Sequence, residues 1–132
     1  MMSKDFIKKQ KILRLATIDS RGNPHIVPVW YSYINGKFYI GTNTRTSKAR
    51  NVKHNPKVSF CIDIGIKSPD IVGTMGTGKA RLILENKRVK SFAKKILLRY
   101  FKSLKNKSAQ YLLEDTNCII EIMPKKMVSW KH

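Results

Sequence analysis

The dipeptide Asn35-Gly36 constrains this chain more than any other feature, because it fixes a reversal between two apolar segments. A two-residue type I′ turn needs a positive φ angle at both central residues, and asparagine and glycine tolerate that angle best. The flanking segments, His25 to Ile34 and Lys37 to Thr42, are rich in aromatic and β-branched residues, which favour extended strands. The sequence therefore predicts an antiparallel β-hairpin here.

Turn signals divide the rest of the chain into further short strands. Gly22 is expected to supply the positive φ of a turn, Asn55-Pro56 ends a short helical stretch, and Ser3 is a candidate cap for a first helix. We expect strands over residues 12–18, 25–34, 37–42, 57–63, 71–84 and 117–123, and a short extended end over residues 126–130. Residues 1–132 are thus predicted to form one mainly β domain with a few helices, a small six-stranded antiparallel barrel.

A strongly basic segment spans residues 87–107. The chain has 27 Lys and Arg against 8 Asp and Glu, a net charge of +19, and almost half of that charge lies in this segment, which has no acid. Its apolar residues recur at helical spacing from Val89 to Leu104, which predicts one amphipathic helix. Its charged face could neutralise the phosphates of a nucleic acid non-specifically or touch an anionic membrane. The aromatic residues lie on the apolar stripe, which argues against a platform for stacking bases.

Other functions are disfavoured by what the chain lacks. Cys61 and Cys118 lie in apolar company and are interpreted as small core residues rather than disulfide or zinc ligands. Histidines and carboxylates are scattered, and no nucleophile stands beside a base, so neither a metal site nor a hydrolytic centre is expected. No apolar run approaches the ~18 residues of a transmembrane helix. Met1 to Lys11 lacks a signal segment, so we expect a cytoplasmic protein.

The segment Thr42 to Pro56 is the first candidate site. A strand ends, a polar loop follows, and a helix is expected to begin near Ser47 and Lys48. Free amides at a helix N-terminus, together with a hydroxyl and an ammonium, suit a phosphate, and Arg45 and Arg50 could add charge-assisted hydrogen bonds. The alternative is an ordinary capped helix with solvated lysines.

The segment His25 to Trp30 is the second candidate site. Pro28 cannot donate to a β-ladder, so this part of the strand is expected to be an edge or a bulge. Unpaired backbone groups there could face a planar heterocycle, with Trp30 beside it. The alternative is a core strand with a proline bulge, in which His25 is a packed or edge histidine.

Together these segments resemble the FMN-binding split β-barrel family, the pyridoxamine 5′-phosphate oxidase-like group. The resemblance runs from about residue 12 to residue 130. It rests on Leu15 to Asp19, Gly22 to His25, Val27 to Trp30, Tyr39 to Asn43, Ser47 to Val52, Asn55 to Val58 and Pro124 to Trp130. It implies a six-stranded antiparallel split barrel. It also implies a homodimer that binds two FMN molecules at its subunit interface and acts on a small-molecule substrate.

The resemblance also implies roles for individual residues. One strand would follow the isoalloxazine ring and the ribityl chain, a second would close over the ring edge, and the start of a helix would hold the phosphate. A tryptophan near the end would reach the flavin from the partner chain. In that order, the cofactor-binding residues are His25, Ile26, Val27, Pro28, Val29 and Trp30; Gly41, Thr42 and Asn43; Ser47, Lys48 and Arg50; and Trp130.

The chain departs from the oxidase proper at matching positions. His25 replaces an arginine, Trp30 replaces a lysine, and Ser47 replaces one of two phosphate-binding bases. The chain stops at His132, where the oxidase continues into an Arg-Leu-His segment that holds the pyridoxal substrate. Pyridoxamine phosphate oxidation is therefore not expected, and Val27 to Trp30 is more similar to small relatives, including those that bind a deazaflavin coenzyme.

Three interpretations follow from the sequence. The first is a flavin-dependent oxidoreductase with FMN, or with deazaflavin as the alternative cofactor. The second is a basic nucleic-acid-binding module. The third is a protein that stores or senses flavin or haem without turnover, because no side chain is an evident acid or base for catalysis.

Overall fold

The computed structural model describes residues 4–132, which form seven strands and four helices. Ser3, the expected helix cap, lies outside the described residues. The strands are β1 (Leu13–Ile18), β2 (Pro24–Val29), β3 (Ser32–Ile34), β4 (Lys37–Thr42), β5 (Lys57–Ile64), β6 (Val72–Ile83) and β7 (Cys118–Lys131). The helices are α1 (Lys4–Lys9), α2 (Ser47–His54), α3 (Asn86–Leu97) and α4 (Lys107–Asp115).

One antiparallel sheet contains all seven strands, in the order β2-β1-β5-β6-β7-β4-β3. Its two edge strands, β2 and β3, are consecutive in the chain and are joined by Trp30 and Tyr31 alone. A connection of this length spans roughly 10 Å when extended. The sheet must therefore curl until its two edges come close together, which confirms the mainly β, split-barrel class.

The predicted strand over residues 25–34 is two strands, and this is why the sheet has seven strands rather than six. Between them Tyr31 is fully buried and its hydroxyl donates a hydrogen bond to the carbonyl of Ile7. Its own amide donates to the Tyr100 hydroxyl at 3.0 Å, and its carbonyl accepts from Arg99. Side chains thus satisfy the backbone where the chain crosses between edges, a change that an apolar pattern does not reveal.

The turn predictions are confirmed. Asn35 and Gly36 have φ angles of 51° and 78°, as a type I′ turn requires, and Gly22 has a φ of 84°. Pro28 lies on β2, which is an edge strand. The missing amide of the proline therefore costs no ladder hydrogen bond in the middle of the sheet.

Two apolar clusters form on opposite faces of the curled sheet. The inner cluster includes Leu13, Leu15, Phe38, Phe60, Ile62, Ile120 and Ile122. The outer cluster packs α3 against the sheet through Tyr39, Ile83, Val89, Ile96 and Ile119. Cys118 is buried, as expected of a core residue, and Cys61 is half-buried on β5.

The prediction of one helix over residues 87–107 is wrong. The first helix, α3, ends at Leu97, and Asn106 begins α4 by accepting hydrogen bonds from the amides of Ser108 and Ala109 at 2.8 and 3.2 Å. The helix stops because Arg99 and Tyr100 are held by the strand connection and by the end of α1. At the C-terminus, the extended end predicted at residues 126–130 is part of β7.

Within the described residues, no helix is both long and apolar enough to cross a membrane.

We predict that Gly76→Ala destabilises the fold. A Cβ atom at Gly76 would lie 2.5 Å from Cζ of Phe60 and 2.7 Å from the carbonyl oxygen of Lys126. Overpacking of this kind lowers the free energy of unfolding by about 1–3 kcal/mol, measurable by urea denaturation. The control is Thr77→Ala, since Thr77 is exposed on the same strand. Equal stability of the two variants would contradict the packing described for β6.

We also predict that Arg99→Ala loosens the attachment of α1. The guanidinium donates to the carbonyls of Lys8 at 2.5 Å and Gln10 at 2.6 Å, and also to that of Tyr31. Losing these charged hydrogen bonds should lower the free energy of unfolding by about 2–3 kcal/mol. Arg99→Lys should retain only part of this free energy of unfolding, because an ammonium lacks the planar arrangement of donors that a guanidinium has. Lys102→Ala, at an exposed position nearby, should be nearly neutral in the same urea titration.

Candidate functional site

A cleft of about 340 Å³ lies between the turn before β2 and one face of α2. It brings together His25, Ser47 and Arg50, which belong to the two separate candidate segments. The other lining residues are Asp19, Ser20, Asn51 and His54. The two candidate segments are therefore neighbours in space.

Helix α2 presents its cleft residues through simple helical spacing. Ser47, Arg50, Asn51 and His54 fall at i, i+3, i+4 and i+7, which places them on one face of the helix. The side-chain oxygen of Thr46 caps the helix by accepting a hydrogen bond from the amide of Ala49 at 3.4 Å. The helix therefore begins at the cleft, with its first-turn amides close to Ser47.

A buried hydrogen bond fixes α2 relative to β1 and β2. Nδ2 of Asn51 donates to Oγ1 of Thr17 at 3.0 Å, and both side chains are buried. Thr17 pairs with His25 across the β1–β2 ladder. The same contact therefore sets the distance of His25 from the start of the helix.

Asp19 is the one carboxylate among the residues that line the cleft, and its own turn engages it. Its Oδ1 accepts hydrogen bonds from the amides of Arg21 and Asn23, both at 2.9 Å. The amide of Asn23 makes the largest contribution to a lowered pKa of the Asp19 carboxyl, so the group is ionised at neutral pH. An anionic ligand would accordingly lie on the α2 side of the cleft, near Arg50.

Lys48 is not among the residues that line this cleft. It is half-buried, and burial lowers the pKa of its ammonium. Its neighbour is the thiol of Cys118, whose pKa is raised to about 11 by burial, so the thiol is protonated. Among residues 4–132 no carboxylate forms an ion pair with Lys48. The result is a partly desolvated cation without a counter-charge.

The loop between β4 and α2 is held together by its own polar groups. Oγ1 of Thr42 lies 3.0 Å from Oγ1 of Thr46, and Nδ2 of Asn43 donates to the carbonyl of Asp115 at 2.8 Å. Arg45 forms an exposed ion pair with Asp115 at 3.6 Å and does not line the cleft. Thr42 and Asn43 are buried, so their role within this chain is to position the start of α2.

Gly41 and Trp30 line a different and smaller cavity, of about 70 Å³, between the sheet and the helices α3 and α4. The indole of Trp30 stacks on the ring of Tyr100 at 4.2 Å and meets the edge of Phe101 at 5.8 Å. Trp30 keeps about a third of its surface, 36%, exposed. One face of the indole is thus fixed by the turn after α3, and these aromatic rings stack on one another rather than forming an open row.

Strand β2 has one free edge. It pairs with β1, and no other strand of the described residues pairs with it. Val29 is buried and Val27 is half-buried, both toward the inner cluster, whereas Pro28 is exposed and Ile26 is 67% exposed. The backbone of this edge and the Ile26 side chain are therefore accessible to a ligand or to another chain.

Trp130 lies far from the cleft of its own chain. It pairs with Gly73 near the end of the β6–β7 ladder, and its ring covers that glycine so closely that a Cβ atom there would lie 2.3 Å from Cζ2 of the indole. Strand β5 gives a measure of the distance. Gly73 pairs with Asp63 of β5, and Asp63 is four residues from Ser59, which pairs with Ala16 near the cleft end of β1. This separation is roughly 13 Å, so Trp130 does not contribute to the cleft of its own chain.

Sequence reasoning missed four lining residues, Asp19, Ser20, Asn51 and His54. The spacing of His54 four residues after Arg50 was the available signal, because it places both on one helix face. Asp19 and Ser20 belong to a turn whose position beside α2 depends on the curl of the sheet. Among residues 4–132, no three His, Cys, Asp or Glu side chains cluster as a metal site would require.

Three solved structures illustrate what the chain is similar to. A conserved hypothetical protein from Mycobacterium tuberculosis is 25% identical with a TM-score of 0.87, and the match covers 100% of this chain and 86% of that one. An F420 reductase is 20% identical with a TM-score of 0.73, covering 97% of each chain. HutZ, the haem-storage protein of Vibrio cholerae, is 16% identical with a TM-score of 0.76, covering 97% of this chain and 90% of that one.

The last two structures demonstrate the fold alone, since their identity to this chain is low. No protein among the curated sequences matches the chain. The family model for pyridoxamine 5′-phosphate oxidase, in contrast, matches residues 3–131, almost the entire sequence. This chain therefore belongs to the pyridoxamine 5′-phosphate oxidase family.

Proposed function

We propose that this protein binds FMN at the interface of a homodimer and uses it to oxidise or reduce a small molecule. The observation that carries the proposal is the cleft in which His25, Ser47 and Arg50 meet at the start of α2. Its volume, about 340 Å³, falls within the range of small-molecule sites, roughly 300–1,000 Å³.

The start of α2 suits the phosphate end of the cofactor. A helix N-terminus offers free amides and a partial positive charge, and Ser47 adds a hydroxyl at that position. Arg50 is exposed and forms no ion pair with the described residues, and Lys48 lies half-buried on the adjoining side of the helix. A phosphate dianion in the cleft would supply the counter-charge that Arg50 lacks.

The free edge of β2 suits the flat part of the cofactor. An isoalloxazine ring needs hydrogen-bonding groups along its pyrimidine end and apolar contact on its faces. The unpaired backbone of β2 and the exposed side chain of Ile26 are of this kind. When bound, the flavin would supply the redox chemistry, and the residues of this chain would hold and orient it.

A homodimer is supported by an uncovered apolar area on the outer face of the sheet. Met75 and Val128 are paired neighbours on β6 and β7, and they are 39% and 47% exposed. Trp130 lies farther along the same strand, two residues from Val128. A second chain seated on this area would place its Trp130 where the first chain's own tryptophan cannot reach.

A deazaflavin coenzyme is the alternative cofactor. It also carries a phosphate, so the start of α2 would serve it equally, and an F420 reductase has a similar fold. The absorbance spectrum and mass of a chromophore that co-purifies with the protein would distinguish FMN, deazaflavin and haem. We keep the cytoplasm as the proposed compartment, since both cysteines are free thiols.

We predict that Ser47→Asp abolishes tight FMN binding while sparing riboflavin, which lacks the phosphate. A carboxylate at the first helical position repels the phosphate. The affinity for FMN, measured by fluorescence titration, should therefore fall on the order of tenfold or more. The same carboxylate favours the helix itself, so unfolding does not explain the loss.

Ser103→Asp, on a distant exposed turn, is the matched control with the same change in charge. It should leave FMN affinity unchanged within about twofold. A wild-type protein that purifies colourless and binds neither FMN nor deazaflavin would overturn the proposal. Equal losses of FMN and riboflavin in Ser47→Asp would place the phosphate elsewhere.

We further predict that two defective chains complement each other in a mixed dimer. Ser47→Asp damages the site in its own chain, whereas Trp130→Ala damages the site in the partner. A dimer containing one chain of each kind keeps one intact site, so FMN should bind tightly at one site per mixed dimer. If Trp130 acted within its own chain, the co-purified mixed dimer would have no intact site. Isothermal titration of differently tagged chains measures the stoichiometry.

A further inference from the structure

A dense group of exposed cations lies where α1 ends and α3 ends. We call it the basic face and define it by six side chains, all exposed: Lys8, Lys9, Lys11, Lys94, Lys95 and Lys102. These residues come from two parts of the sequence that are more than 80 residues apart. Only the tertiary structure makes them one surface.

Arg99 joins the two parts. Its Nη2 donates hydrogen bonds to the carbonyls of Lys8 at 2.5 Å and Gln10 at 2.6 Å. In return, Nζ of Lys11 donates to the carbonyl of Arg99 at 2.6 Å and lies 5.2 Å from the centre of the Tyr100 ring. The lysines at the end of α1 therefore sit against the end of α3.

The outward side of α3 has no acid. Lys87, Ser91, Lys94, Lys95 and Leu98 follow one another at i, i+4, i+7, i+8 and i+11, which places them on one side of the helix. All are exposed, and Leu98, just after the last turn, has 51% of its surface exposed among the lysines. An apolar side chain surrounded by cations is typical of surfaces that contact the headgroup region of a membrane.

The basic face is not neutralised from within the protein. The ion pairs among residues 4–132 are those of Arg14 with Asp63, Arg45 with Asp115, and Arg81 with Glu121. None of them involves the basic face, so its charge is available to an external partner. Charge complementarity identifies that partner as an extended anionic surface.

We propose that the basic face docks on the surface of a bilayer that contains anionic lipids, with Leu98 inserted among the headgroups. Each lysine near such a surface contributes electrostatic attraction to the anionic lipids. The exposed leucine adds apolar contact with the lipids, which the backbone of a nucleic acid would not provide. The nearby rings of Trp30 and Tyr100 stack on each other, which leaves them closed to bases. The cations and Leu98 together thus favour a lipid surface over a nucleic acid.

The test is co-sedimentation of the full chain with vesicles of phosphatidylcholine, with and without phosphatidylserine, over a range of salt concentrations. We expect binding only with phosphatidylserine, and loss of binding at high salt. The triple variant K94Q/K95Q/K102Q should bind at least about tenfold more weakly. The triple variant K53Q/K57Q/K67Q, which removes the same charge from exposed positions on other elements, should bind like the wild type.

A second pair of variants tests the role of Leu98. Leu98→Ser should weaken vesicle binding several-fold, whereas Ile66→Ser, at a 93% exposed position in the loop before β6, should not. Circular dichroism melts confirm that each variant is folded. Equal weakening by the two triple variants would overturn the proposal, because net charge alone would then explain binding. Tighter binding to duplex DNA than to the anionic vesicles at the same salt would also overturn it.

Discussion

The two-residue connection through Trp30 and Tyr31 is the constraint on which the rest of this structure depends. It joins strands at opposite edges of the sheet, so the sheet has to curl. The backbone at the crossing has no strand to pair with, and the side chains of Arg99 and Tyr100 supply its hydrogen-bond partners. The hydroxyl of Tyr31 donates to the carbonyl of Ile7. Burial raises the pKa of Tyr31 to about 12, so its hydroxyl keeps the proton that it donates.

The same curl assembles the candidate site from separate segments. Strand β2 enters the sheet at one edge, and α2 follows the strand β4 near the other edge. Closing the sheet brings His25 next to Ser47 and Arg50, and the Asn51–Thr17 hydrogen bond holds them there. The proposed phosphate site, made of a helix start and a strand edge, would thus be a consequence of how the sheet closes, rather than of any one segment.

The excess of positive charge is divided among different tasks by the fold. Lys90 donates to the carbonyls of Leu113 and Thr116 and fastens α4 to α3, while Arg99 fastens α1 to the strand connection. Lys48 and Arg50 lie around the start of α2, where the proposed phosphate would bind. Six exposed lysines in and just after α1 and α3 form the basic face. A net charge by itself does not distinguish these roles, because each depends on which carbonyls or carboxylates lie within reach.

Local sequence determined the turns, most of the strands and the start of α2, because φ preferences, capping and apolar periodicity act over a few residues. Local preferences predicted the turn at Asn35-Gly36, the edge position of Pro28 and the end of α2 before Asn55-Pro56. The break of the predicted strand at Trp30 and the early end of α3 were decided only in the tertiary structure. Both depend on hydrogen bonds between Tyr31 and residues near position 100, and such distant partners leave no mark on local periodicity. The exclusion of Lys48 from the cleft that Ser47 lines, and the distance of Trp130 from that cleft, were decided in the same way by the closing of the sheet.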